Sequence, residues 1–202
     1  MANTFAPFGF RKIGVANGAA PTFALTKRRI ASGNSTAIYF GDPVMPVISS
    51  ANGYITQGAA GTTRLDGIFA GCKYLSVAQK RTVWSNYYPG GTDPATGTIY
   101  AYIINDPNAK FLVQSDSTGV AAVDVNATIG FKIGSGNTAN GISGAYLDLA
   151  TLNTGTLANF PFKIVGILND PPGAPGTLAN GQAYDQAIVM FNNVFTRNAQ
   201  GV

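Results

Sequence analysis

The chain of 202 residues has no histidine, no glutamate and one cysteine, Cys72. Without histidine it has neither the commonest general acid–base group nor the commonest metal ligand and pH switch near neutrality. A Ser-His-Asp or Cys-His nucleophilic centre cannot be built within the chain. A single cysteine makes no intrachain disulfide and no zinc site, and it fits a polypeptide made in a reducing cytosol. The nine acidic residues are all aspartate, and Asp42, Asp93, Asp106 and Asp170 each stand directly before proline. An aspartate in that position shapes turns. Charge is sparse at 11%, against roughly 25% in ordinary soluble domains, as expected of a surface that faces other protein. No stretch approaches the roughly 20 apolar residues that span a bilayer, and no charged n-region precedes an apolar run at the N-terminus. No membrane association is expected.

The composition also supplies a core, with 46% apolar residues, 12 Phe and 9 Tyr. The 25 glycines and 11 prolines punctuate the sequence too densely for long helices. The expectation is all-β: a sandwich or barrel of about ten short antiparallel strands. Residues 1–33 read as an irregular arm, because Phe5, Phe8, Phe10 and Phe23 fall among glycines and prolines with no period of 2 or 3.6. Residues 34–202 read as the β-rich body. Alternation places Ile68, Ala70, Cys72 and Tyr74 on one face of a strand over 68–75, with Cys72 a small buried hydrophobe. Ile99–Ile104 reads as a strand with Lys110–Gln114 as its hairpin partner. Val120–Asn126 reads as a strand or one helical turn. Further strands are expected over 37–40, 44–48, 82–88, 129–133, 142–149, 160–168 and 187–195. A Pro- and Gly-rich loop is expected over 171–181.

The basic residues are uneven. Arg11, Lys12, Lys27, Arg28 and Arg29 all precede the first acid, Asp42, and the remaining eight cations and nine acids nearly cancel. Such a leading segment suits nucleic acid, an acidic membrane, an acidic protein surface or plain solvation. Lys27-Arg28-Arg29 near Phe23 resembles single-strand binders. A body of net charge near zero argues against a nucleic-acid groove.

Other motifs fall short. Gly134–Gly141 lacks the Gly-Lys-[Ser/Thr] that cradles phosphates. Gly141-Ile142-Ser143-Gly144 is one residue short of a nucleophile elbow, and Asp116-Ser117-Thr118-Gly119 carries one residue too many for an aspartic-protease signature. The closest acidic pair in sequence, Asp116 and Asp124, is too widely spaced for a calcium loop. Two carboxylates would serve a glycosidase, but nothing in the sequence brings two together. No catalytic, cofactor or metal residue is assigned, and no enzymatic activity, small-molecule substrate or cofactor is expected.

Several stretches carry a resemblance: Leu65–Tyr74 (LDGIFAGCKY), Val83–Pro89 (VWSNYYP), Ala101–Pro107 (AYIINDP), Phe111–Gln114 (FLVQ) and Phe162–Leu168 (FKIVGIL). In order and spacing they resemble capsid decoration (cement) proteins of tailed bacteriophages, over roughly residues 65–191. The resemblance implies a homotrimer on the capsid exterior of the virion, made in the host bacterial cytoplasm. Its partner would be the major capsid protein, with the trimer bridging capsomers and stabilising the shell. On that reading the arm clamps the shell. Phe5, Phe8 and Phe10 would be anchors, and Arg11, Lys12, Lys27, Arg28 and Arg29 would pair with acidic capsid groups. Deleting residues 2–29 should then abolish shell binding and leave a folded body. The alternatives are a host-surface or glycan-binding fibre or tail protein, and an internal nucleic-acid-associated protein.

Overall fold

The computed structural model describes residues 3–16, 18, 24–47, 53–91, 93–153, 160–168 and 182–196. It is all-β, as expected, with twelve strands among the described residues: β1 Arg11–Val15, β2 Thr26–Ile30, β3 Pro43–Pro46, β4 Ile55–Gln57, β5 Gly67–Ser76, β6 Arg81–Ser85, β7 Ile99–Ile104, β8 Ala109–Gln114, β9 Thr128–Lys132, β10 Tyr146–Asn153, β11 Phe162–Ile167 and β12 Gln186–Phe191. They form two antiparallel six-stranded sheets consistent with a sandwich, neither closed into a barrel. The first sheet runs β1-β8-β12-β11-β9-β10, and the second β2-β7-β5-β3-β4 with β6 on β5. The segment Val120–Asn126 forms one 3₁₀ turn, Ala122–Asp124. The expected loop over 171–181 lies outside the described residues.

The buried residues fall into two clusters, one dominated by each sheet. Alternation in the first sheet points Phe111, Val113, Ile129, Phe131, Leu147, Phe162, Ile164, Val189 and Phe191 into one cluster. Its aromatic rings touch in series: Phe10 stacks on Phe162 at 4.3 Å, Phe162 on Phe191 at 5.7 Å, and Phe111 meets Phe191 edge-on at 5.1 Å. Such pairs add about 0.5–1.5 kcal/mol each beyond the area they bury. The second sheet buries Ile30, Val44, Ile55, Phe69, Cys72, Ile99, Ala101 and Ile103. That face is covered by the pair Ile38 and Tyr88, which exchange backbone hydrogen bonds of 3.0 and 2.7 Å. The Tyr88 hydroxyl donates to the Asn34 carbonyl at 2.8 Å.

Three expectations need correction. The expected irregular arm contains β1 and β2, each an edge strand, one in each sheet. Lysine and arginine are what a protein places on an edge strand to discourage pairing with another chain, and they hide the apolar alternation that marks interior strands. Deleting residues 2–29 would therefore strip an edge from both sheets and would not leave the body intact. The expected hairpin of 99–104 with 110–114 does not form. β7 pairs with β2 and β5, while β8 pairs with β1 and β12. Asn105-Asp106-Pro107 instead carries the chain from one sheet to the other. The Asp106 carboxylate accepts from the Asn108 amide at 2.9 Å, and the missing N–H of Pro107 stops the ladder. Finally, the single face expected for 68–75 is broken by a bulge between Phe69 and Gly71. The extra residue, Ala70, shifts the phase of the strand. Ile68 and Ala70 enter the first core, whereas Phe69, Cys72 and Tyr74 enter the second.

Candidate docking face

The phase shift in β5 divides the outer surface of the second sheet. At one end Ile68, Ala70 and Ile104 pack into the first core. At the other end the same surface is left open, and alternation places Lys27 and Arg29 of β2, Tyr100 and Tyr102 of β7, Lys73 of β5 and Trp84 of β6 upon it. Lys73 faces Tyr100 on one side and Trp84 on the other. The Trp84 ring lies 4.7 Å from Tyr102, and the Lys27 ammonium lies 3.5 Å from the centre of the Tyr100 ring. Trp84 is 54% exposed and its neighbour Leu75 50%.

Gly71 makes this arrangement possible. It holds φ +135°, where side chains are rarely tolerated, and a Cβ there would sit 2.9 Å from the indole of Trp84. β2, β5, β6 and β7 contain five cations and no acidic residue. The nearest carboxylate to this face in sequence, Asp66, already holds Arg28 in a two-point ion pair of 2.6 and 3.0 Å. That pairing raises the Arg28 guanidinium above its ordinary value, through the hydrogen bond first, against the opposing effect of burial.

A cleft of about 550 Å³ opens where this face meets the first sheet. Leu25, Phe40, Ile104 and Ile142 form its apolar wall. Arg11 and Lys12 of β1 and the amide side chains of Asn86 and Asn140 supply its polar groups. A shallower hollow of about 380 Å³ lies beside Lys27, Arg29 and Tyr100.

The eight residues singled out from sequence therefore separate. Phe10 is 1% exposed and belongs to the core, so no partner can reach it. Phe5, 46% exposed, rests against Tyr146 and Tyr184 with ring centres 5.1 and 5.2 Å away. Phe8 lies under the Arg11 guanidinium at 4.9 Å. Arg11 and Lys12 stand at the cleft, Lys27 and Arg29 on the open face, and Arg28 is an internal tie. Trp84, Lys73, Tyr100 and Tyr102 were missed. The signal for Trp84 was its place as the only tryptophan, on a strand whose neighbours Thr82 and Arg81 are polar.

The described aspartates serve the scaffold. The Asp42 carboxylate accepts from the Tyr39 amide, the Gln57 amide and the Ser143 hydroxyl. Asp185 accepts from Ser115 and the Val120 amide. Burial pushes both carboxyls above their ordinary value, and those hydrogen bonds only partly oppose it. Asp93 accepts from Tyr74, Ser76 and Ala78, Asp116 from Thr118 and Leu149, and Asp148 from Lys132. Among the described residues no three acidic or thiol groups converge as a metal site, and no helix is long and apolar enough to cross a membrane.

No protein-family model, no curated protein and no solved structure matches the chain.

Proposed function

We propose that the protein is a capsid decoration protein of a tailed bacteriophage, binding the major capsid protein on the shell exterior as a homotrimer and bridging capsomers. The observation that carries the reading is the open end of the second sheet: cations, tyrosines and an exposed tryptophan with no acid on any of its four strands. Tryptophan, tyrosine and arginine dominate the energetic centres of protein interfaces. A rigid sheet presents them with little ordering cost on binding. Their charge selects an acidic partner. Three such faces on one trimer make the second and third contacts intramolecular, so modest individual contacts yield high avidity. Phe10 and Arg28 have no part in this interface, whose anchors are Trp84, Lys27 and Arg29.

The same face could be read as a platform for single-stranded nucleic acid. The Lys27 ammonium, however, lies over the Tyr100 ring where a base would stack, which favours a protein partner. The test is sedimentation of purified protein with phage shells that lack it. Saturable binding is expected, weakened at least tenfold by Trp84→Ala and by Lys27→Glu with Arg29→Glu, while the variants keep the wild-type melting temperature. Failure to bind shells, together with tight and steeply salt-dependent binding of single-stranded DNA, would sink the proposal.

A further inference from the structure

We propose that the cleft between β1 and the approach to β2 is a socket for an extended acidic segment of the capsid partner, receiving one bulky apolar side chain and a carboxylate beside it. The proposal rests on the decoration reading and states what the partner must present.

The cleft, at about 550 Å³, falls within the usual size of ligand sites. Its wall is apolar, and no acidic residue lines it. Arg11 stands at its edge, its guanidinium over the Phe8 ring, with no carboxylate partner among the described residues. A cation held on an aromatic ring keeps its outward N–H groups directed at an incoming anion. Asn86 and Asn140 add side-chain amides; the Asn140 oxygen already accepts from the Ile142 amide at 2.9 Å, so its NH₂ group is what it can offer a peptide carbonyl, while Asn86 can both donate and accept. A simple fatty anion would use the wall and the cation but none of those amide donors. The cleft is also continuous with the docking face, because Ile104 and Ala70, which line it, belong to the same sheet surface as Tyr102 and Gly71.

Ala24 is an exposed residue at the lip, so Ala24→Trp puts an indole over the cleft without disturbing either core. We expect Ala24→Trp and Arg11→Glu each to lower shell affinity at least tenfold, with melting temperature and oligomeric state unchanged. In parallel, NMR titration of the full chain uses two probes, acetyl-Asp-Leu-Asp-amide and acetyl-Asn-Leu-Asn-amide. The acidic peptide should shift Phe40, Ile104 and Ile142 saturably in wild type and not in Ala24→Trp, and the neutral peptide should not. Wild-type shell affinity in Ala24→Trp overturns the inference. So does equal binding of the two peptides, no binding of either, or preference for decanoate over the acidic peptide. If wild type ignores shells yet the acidic peptide fills the cleft, the decoration reading falls and the socket stands.

Discussion

Replacing Phe10 with alanine removes a ring that stacks on Phe162 at 4.3 Å and meets Phe131 edge-on at 6.4 Å, in a place with 1% exposure. The neighbours cannot close the gap cheaply. Gly9 is pinned against Gly41 and Ser143, so close that a Cβ there would lie 2.6 Å from the serine Cβ. The Phe10 amide donates to the Gly41 carbonyl at 2.9 Å. Truncating a buried phenylalanine to alanine costs about 3–5 kcal/mol. Unfolding entropy for a chain of this length is about 0.4 kcal/mol/K, so the melting temperature should fall by ~7–12 °C. Phe5→Ala, from the same segment but half-exposed against two tyrosine rings, should cost about 1 kcal/mol, or ~2–3 °C. Differential scanning calorimetry on both variants reads the contrast. A Phe10→Ala midpoint within about 2 °C of wild type would mean that the leading segment is not built into the core, and the account of β1 would fail with it.

Three further outcomes follow from the same packing. Burial pushes the Cys72 thiol up to about 12, so at pH 8 about one thiol in 10⁴ is ionised; iodoacetamide should label the protein only on unfolding, and labelling of the native state would refute the buried placement. Asp42 and Asp185 have raised folded-state values, so the folded state binds those protons more tightly than the unfolded chain does. Their contribution is fully present below the ordinary carboxylate range near ~4 and is lost as pH rises through the raised values. Urea midpoints should therefore increase as pH falls from neutrality through the raised values toward the ordinary carboxylate range near ~4, and Asp185→Asn should flatten that slope; a slope unchanged by the substitution would contradict the assignment. Gly71→Ala strains a φ of +135° and drives a Cβ against Trp84, at a cost of about 1–3 kcal/mol. Tryptophan fluorescence should change with it, and an unchanged spectrum and midpoint would remove the glycine from the account of the docking face.

Much of the fold was legible because it depends on local chemistry. β7 was expected over the span it occupies, and β8, β9 and β11 within a residue or two, because apolar residues alternate there between turn signals. Cys72 was placed correctly, since an isolated thiol on an apolar strand behaves as a small hydrophobe. The turn role of Asp42 and Asp106 was also legible, because a carboxylate before proline has backbone amides in reach, whereas Asp93 ties its loop to the distant Tyr74, Ser76 and Ala78. β1 and β2 were not. Their sequences, RKIGV and TKRRI, carry the charges of edge strands, and edge character exists only relative to a neighbour.

Composition and local pattern thus determined the all-β class, the short strands, the turns and the absence of histidine chemistry. Tertiary structure alone decided the partition of the strands between two sheets, the division of the core in two and the exposure of one sheet surface. The reason is that a one-residue bulge at Ala70 changes which way every later side chain of β5 points. Likewise, a proline turn at Pro107 sends β8 to the opposite sheet from β7. Neither event alters the apolar alternation on either side of it, so only the pairing of distant strands reveals which face each residue covers.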